Sequence, residues 1–203
     1  MPSRRGGWAV SAGKQTDRRG FFREGFRSLL RAFAETAQAA ADEAAVRGAG
    51  GVRWLRPPGA LPEAAFLLTC TRCGDCARAC PAGAIRLLPE SAGAAVGTPF
   101  IDPLMQPCDL CGRCMGACGP GALVPVAEPR QVRMGVAVID PARCWAVQGS
   151  ICDLCWQRCP FPDEAIRMVD GKPQVQPEQC TGCGQCAYVC VSTPPAITIQ
   201  PRS

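Results

Sequence analysis

The sequence predicts an α+β fold: two similar units of short strands and short helices behind a basic N-terminal arm that carries an amphipathic helix. Three observations predict it. Sixteen of the 203 residues are cysteine, and they fall into four groups of four with one recurring spacing. The first cysteines of successive groups lie 38, 36 and 36 residues apart, which is an internal repeat. A short apolar run follows every group and precedes three of them, so each repeat brings its own strand signal. The boundaries that follow are 1–56 for the arm, 57–130 for the first unit and 131–203 for the second.

Composition explains why the repeats need more than an apolar core. Leu, Ile, Val and Phe together number 40 of 203, close to the roughly 20% below which chains struggle to bury enough surface. Histidine is absent. That excludes a Ser-His-Asp triad, a Cys-His nucleophile, a His-ligated haem, a Rieske centre and a Cys₂His₂ zinc finger. The arm holds 11 Lys/Arg against 5 Asp/Glu, while residues 57–203 hold 11 against 12. The formal +5 therefore belongs to the arm, and no nucleic-acid partner is expected.

The groups are Cys70, Cys73, Cys76 and Cys80-Pro81; Cys108, Cys111, Cys114 and Cys118-Gly119; Cys144, Cys152, Cys155 and Cys159-Pro160; and Cys180, Cys183, Cys186 and Cys190-Val191. Disulfides give no reason for the x₂, x₂, x₃ spacing to recur. Zinc favours two separated Cys-x₂-Cys knuckles closing one tetrahedron, whereas three cysteines here crowd into seven residues. That crowding suits a cubane, because one short turn can present three thiolates to a [4Fe–4S] cluster. The run Cys-x₂-Cys-x₂-Cys-x₃-Cys-Pro is the bacterial ferredoxin arrangement, whose fourth cysteine ligates the other cluster. The reading is four [4Fe–4S] clusters in two bacterial ferredoxin-like units, with all sixteen cysteines as ligands.

Each repeat is then a loop with three ligands, a short helix starting near the fourth, and a short strand. The strands are expected at Phe100-Ile101-Asp102, Val136–Asp140 and Gln174–Gln176 before groups, and at Ala84–Leu88, Ala122–Val124, Ala165–Val169 and Ala196–Ile199 after them. Gly74, Gly112 and Gly184 each follow the second cysteine, where a positive φ can aim N–H groups at sulfur. Pairing the groups in chain order gives set A (Cys70, Cys73, Cys76, Cys118), set B (Cys108, Cys111, Cys114, Cys80), set C (Cys144, Cys152, Cys155, Cys190) and set D (Cys180, Cys183, Cys186, Cys159). A nested pairing, group two with three and group one with four, has nearly the same spacing. Group one also lacks the strand that should open a unit.

Nothing else in the chain carries chemistry. Gly48-Ala49-Gly50-Gly51 lacks the setting of a dinucleotide site, no Cys-x₃-Cys-x₂-Cys occurs, and no cysteine is spare as a nucleophile. The chain is therefore expected to have no catalytic residue, to take no small-molecule substrate and to act with redox protein partners. Trp145, Trp156 and Tyr188 are read as shields keeping water from the clusters, and Asp75, Asp109 and Asp153 as solvated loop residues. In the arm, Phe22, Phe26, Leu29, Leu30 and Phe33 repeat at helical spacing beside Arg19, Arg23, Arg27 and Arg31, a face suited to peripheral contact with an anionic membrane or to a partner. No stretch reaches the roughly 18 uncharged apolar residues of a membrane span.

The segments Arg56–Leu61 and Arg133–Val138, the seven-residue interval after Cys144 and the run Cys180–Cys186 make the chain resemble the MauM/NapG group of ferredoxin-type proteins, over about residues 53–199. The resemblance implies four [4Fe–4S] clusters and electron transfer between a quinol-oxidising membrane partner and a redox enzyme. A role in maturing a molybdenum-type oxidoreductase, as in the NapF-like ferredoxins, is the alternative. Members usually have a longer spacer in the second group than Cys111-x₂-Cys114. They also carry an export signal. Here Asp17–Arg23 resembles a twin-arginine signal, but charge breaks the apolar stretch behind it. The expected location is the cytoplasm, at the membrane surface, with twin-arginine export as the alternative.

Overall fold

The computed structural model describes residues 53–202, so the expected arm helix lies outside the described residues. Gly50–Ser203 is one compact unit. Within it a small motif occurs twice. In the second occurrence β3 (Gly135–Ile139) pairs antiparallel with β6 (Ile197–Pro201), Val138 opposite Thr198. Inside that frame β4 (Ile166–Val169) pairs with β5 (Lys172–Val175), Ile166 opposite Val175. Asp170 and Gly171, both at positive φ, make the tight turn between them.

The first occurrence is the same plan with a weaker frame. The inner pair is β1 (Ile85–Leu87) with β2 (Pro99–Ile101), Ile85 opposite Ile101. The outer pair shrinks to a single bridge between Ala60 and Leu123. The Leu61 N–H donates to the Ala122 carbonyl at 3.1 Å and the Val124 N–H to the Gly59 carbonyl at 2.7 Å. Arg56–Leu61 thus fills the place where the sequence offers no opening strand. Pro57, Pro58 and Pro62 lack the N–H groups a longer ladder requires, which is why only a bridge forms.

Five short helices complete the unit among the described residues. Helix α1 (Glu63–Thr69) starts after Pro62, carries Glu63 in its first turn, where the helix dipole favours an acid, and buries Phe66. The other four are α2 (Asp75–Arg78), α3 (Arg113–Gly116), α4 (Leu154–Gln157) and α5 (Gln185–Tyr188). Each begins after the second cysteine of its group and carries the third. This corrects the expectation of a helix near the fourth cysteine: the tight x₂ spacing already turns the chain, and the fourth cysteine lies past the helix end.

The two halves share a core. Leu55, Phe66, Ile85, Ile101, Leu123, Val132 and Met134 pack with Cys76, Cys108, Cys114 and Cys183, so cysteines from three groups lie inside it. A second cluster gathers Ala137, Ile166 and Ile197 around Cys155, Cys180 and Cys186. Gly182 sits directly on β3: a Cβ there would fall 2.3 Å from the Gly135 nitrogen. That close approach, sealed by the Met134 N–H to the Thr181 carbonyl at 3.0 Å, seats the fourth cysteine loop on the sheet.

Candidate cluster-binding site

The local turn around each group explains how the cysteines are presented. Gly74, Gly112 and Gly184 have φ of 76°, 75° and 85°, the left-handed conformation expected of them, and each caps the helix that carries the third cysteine. The third group reaches the same turn with Asp153 at φ −135°, a conformation open to any residue. The helices α2 and α3 pack together, as do α4 and α5, and this brings cysteines of different groups face to face.

Cys70, Cys73, Cys76 and Cys118 line one hollow, walled by Phe66, Pro99, Pro120, Ala122 and Leu123. Cys159, Cys180, Cys183 and Cys186 line another, walled by Phe161, Ala165, Ile166 and Ile199. Cys111 and Cys114 lie within electrostatic reach of Cys80, and Cys108 within reach of Cys114. Cys144 packs with Cys152 and Cys190 around Ala146 and Ala196, and Cys155 lies within reach of Cys144 and Cys152. The thiols therefore gather as sets A, B, C and D.

The sets also adjoin in an order. Cys76 of set A bears on Cys114 of set B. Cys108 of set B adjoins Cys183 of set D, whose carbonyl accepts the Cys108 N–H at 2.9 Å; Gln185 Nε2 donates to the Cys108 carbonyl at 3.0 Å. Cys155 of set C bears on Cys186 of set D. The row runs A, B, D, C.

Electrostatics fits a positively charged, multi-atom occupant. Burial pushes the Cys76, Cys114, Cys155 and Cys159 thiols up to about 11 and Cys108 up to about 12, with backbone N–H groups pulling the other way. Burial likewise raises Cys183, and Cys186 well above its ordinary value. A bare thiolate is thus costly here, so these sulfurs ionise only where a cation neutralises them. Preformed donors await the sulfurs. The Ala84, Leu110, Leu123 and Ala196 N–H groups point at Cys80, Cys108, Cys118 and Cys190 Sγ at 3.3–3.4 Å, and Ala137 at Cys180 Sγ at 3.5 Å. None of the sixteen cysteines is in a disulfide. The donor set fits iron–sulfur clusters.

Two expectations change. Trp145 and Tyr188 are about half exposed and shield nothing fully; only Trp156 is half-buried, its Nε1 donating to Asp163 Oδ1 at 2.9 Å. Asp75 lies on α2, where hydrogen bonding to Cys73 and the nearby Arg78 guanidinium lower its carboxyl below the ordinary value. Asp109 and Asp153 are loop residues as expected, Asp109 exposed and accepting from the Cys111 N–H at 3.2 Å, Asp153 accepting from Gln157 Nε2 at 2.8 Å. Sequence reading missed Arg56 as a structural element. Buried, it grips Glu63 with two hydrogen bonds and reaches Thr98 and the Pro99 carbonyl. The signal was a lone arginine before Pro-Pro in a segment with no helix or strand period.

Comparison with known proteins agrees with this chemistry. Residues 107–162 and 136–191 each match a 4Fe-4S dicluster domain, and 68–86 match a 4Fe-4S binding domain. The chain is 39% identical over 170 residues to the ferredoxin-type protein NapG of Escherichia coli, covering 76% of this chain and 73% of that one. It is 41% identical over 162 residues to the methylamine utilization ferredoxin-type protein MauM of Paracoccus denitrificans (74% and 72% covered). Against MauM of Methylophilus methylotrophus it is 38% identical over 202 residues, 93% of this chain and 88% of that one.

Proposed function

The chain belongs to the NapG and MauM ferredoxin-type proteins and is an iron–sulfur electron-transfer protein, and from that premise we propose that it holds four [4Fe–4S] clusters in one relay between a donor and an acceptor protein. Sets A to D are the ligands, one cluster to each. Such a cluster accepts and returns electrons at a potential set by its thiolates, hydrogen bonds and exposure. The chain's own part is to fix the sulfurs, exclude water with Phe66, Leu123, Ile166 and Ile199, and aim backbone N–H groups at sulfur. The observation that carries the reading is the unbroken row A, B, D, C, joined across the halves by the Cys108–Cys183 contact. The donor is a quinol-oxidising membrane protein, the acceptor a redox enzyme, and the site of action the cytoplasmic membrane surface.

Additivity of iron loss tests the pairing. Cys73 and Cys118 share set A, so Cys73→Ser with Cys118→Ser forfeits one cluster, about four irons. The two single losses then do not add. Losses that do add would place the two thiols on separate clusters and refute the pairing.

A further inference from the structure

Seven residues separate Cys144 from Cys152, where the other groups use two, and the surplus serves no ligand spacing. The loop has a fixed shape. The Gln148 N–H donates to the Cys144 carbonyl at 3.0 Å, Gly149 to Ala146 at 3.2 Å and Ser150 to Trp145 at 2.9 Å, over a buried Ala146. At its two ends it holds Trp145 48% exposed and Ile151 fully exposed, at 104%. Leu154, beside Cys155, and Val191, beside Cys190, are 38% and 45% exposed. Every thiol of set C therefore has a large, exposed apolar chain neighbour.

No other set is built this way. The chain neighbours of set A include Arg72 (beside Cys73) and Asp75 (beside Cys76), those of set B Asp109 and Arg113, those of set D Arg158, Gln179 and Gln185. Set C has charged chain neighbours too, Arg143 and Asp153, engaged with Asp140 at 2.6 Å and with Gln157, as Asp75 is with Arg78 at set A; what distinguishes set C is the exposed apolar neighbour at every thiol. Trp145–Ile151 and Gln179–Pro201 contain no charged residue. Set C is also one end of the row of thiol sets.

We propose that the rim of set C, with the loop Trp145–Ile151 as its anchor, is the docking surface for a redox partner protein whose matching face is apolar and uncharged. This rests on the relay reading above. A charged face set against Ile151 and Trp145 would lose hydration with nothing to replace it. An apolar face gains about 25 cal/mol for each Å² covered, and a central tryptophan is a frequent anchor of such contacts. Docking here brings the partner against the terminal thiol set, and because no ion pair holds it, the contact is insensitive to salt.

The test uses the full chain, loaded anaerobically, on gold electrodes coated with methyl-terminated or carboxylate-terminated alkanethiols; the methyl surface stands in for the partner face. Wild type exchanges electrons on the methyl surface at a rate unchanged by added salt. Ile151→Asp loses at least tenfold of that rate, while iron content and the EPR spectrum of the reduced protein stay as in wild type. Ile151→Ser, a gentler change at the same fully exposed position, gives a smaller loss in the same direction. The proposal is overturned if both variants match wild type, or if wild type couples only to the carboxylate surface. It is also overturned if sedimentation shows wild type dimerising through this face and Ile151→Asp abolishing the dimer, since the occupant is then a second copy. Absence of reversible reduction by dithionite in solution is a different result: it sinks the relay reading itself.

Discussion

Arg56→Leu removes a buried cation that ties the opening segment to α1 and β2. The guanidinium donates to Glu63 at 2.9 and 2.5 Å, to Thr98 Oγ1 and the Pro99 carbonyl at 2.8 Å each, and lies 4.7 Å from the Phe66 ring centre. Leucine replaces the apolar stem and none of this. The Glu63 side chain is 31% exposed and can turn to water, so its share of the loss is modest. The Pro99 carbonyl stays buried without its donor, at about 1–3 kcal/mol, while the Thr98 hydroxyl keeps its bond to the Ala95 carbonyl. With the stacking on Phe66 gone as well, about 2–4 kcal/mol is expected. Phe66 and Pro99 line the hollow of set A, so the damage falls there first. Since unfolding of a cluster protein is not two-state, the assay is a rate: anaerobic bleaching of the visible absorbance at fixed denaturant. If the loss falls wholly on the barrier, bleaching accelerates by about one and a half to three decades. Glu63→Gln alone accelerates it less, and combined with Arg56→Leu adds little. A wild-type half-life for Arg56→Leu, or full additivity with Glu63→Gln, would falsify the network.

Three more outcomes are expected. Gly182→Ala puts a Cβ 2.3 Å from the Gly135 backbone at a φ of 74°, and costs at least about 2 kcal/mol through strain and overpacking together. Gly83→Ala, at φ 66° with nothing within 4 Å, costs only about 1–2 kcal/mol; equal bleaching rates for the two would show that the contact with β3 is unimportant. Ile166→Ala opens a cavity beneath β4 beside Cys155 and Cys186, destabilising by about 2–5 kcal/mol, read as faster bleaching and earlier protease cleavage. Removing residues 1–49 leaves iron and sulfide content unchanged, because no thiol set draws a ligand from them; loss of iron from that truncation would contradict the ligand sets.

What the sequence determined by itself is everything that is local. Three cysteines within seven residues, a glycine after the second and a strand after the fourth are short-range instructions, and the turns at Gly74, Gly112 and Gly184 obey them. All six strands, β1 to β6, were legible for the same reason, as apolar runs bounded by turns. The helices were misplaced by a few residues, because four-residue helices carry no period to read.

Only the tertiary structure decided what joins distant residues. Four repeats spaced almost equally offer the same local chemistry to more than one partner, so which fourth cysteine crosses to which group is fixed by helix packing, α2 on α3 and α4 on α5. The replacement of an opening strand by the Ala60–Leu123 bridge, and the binding of Arg56 to Thr98 and Pro99 more than forty residues away, depend on contacts no window of sequence contains. So does the exposure of Trp145 and Ile151. An apolar residue beside a ligand reads as shielding until the loop that holds it is seen to turn it outward.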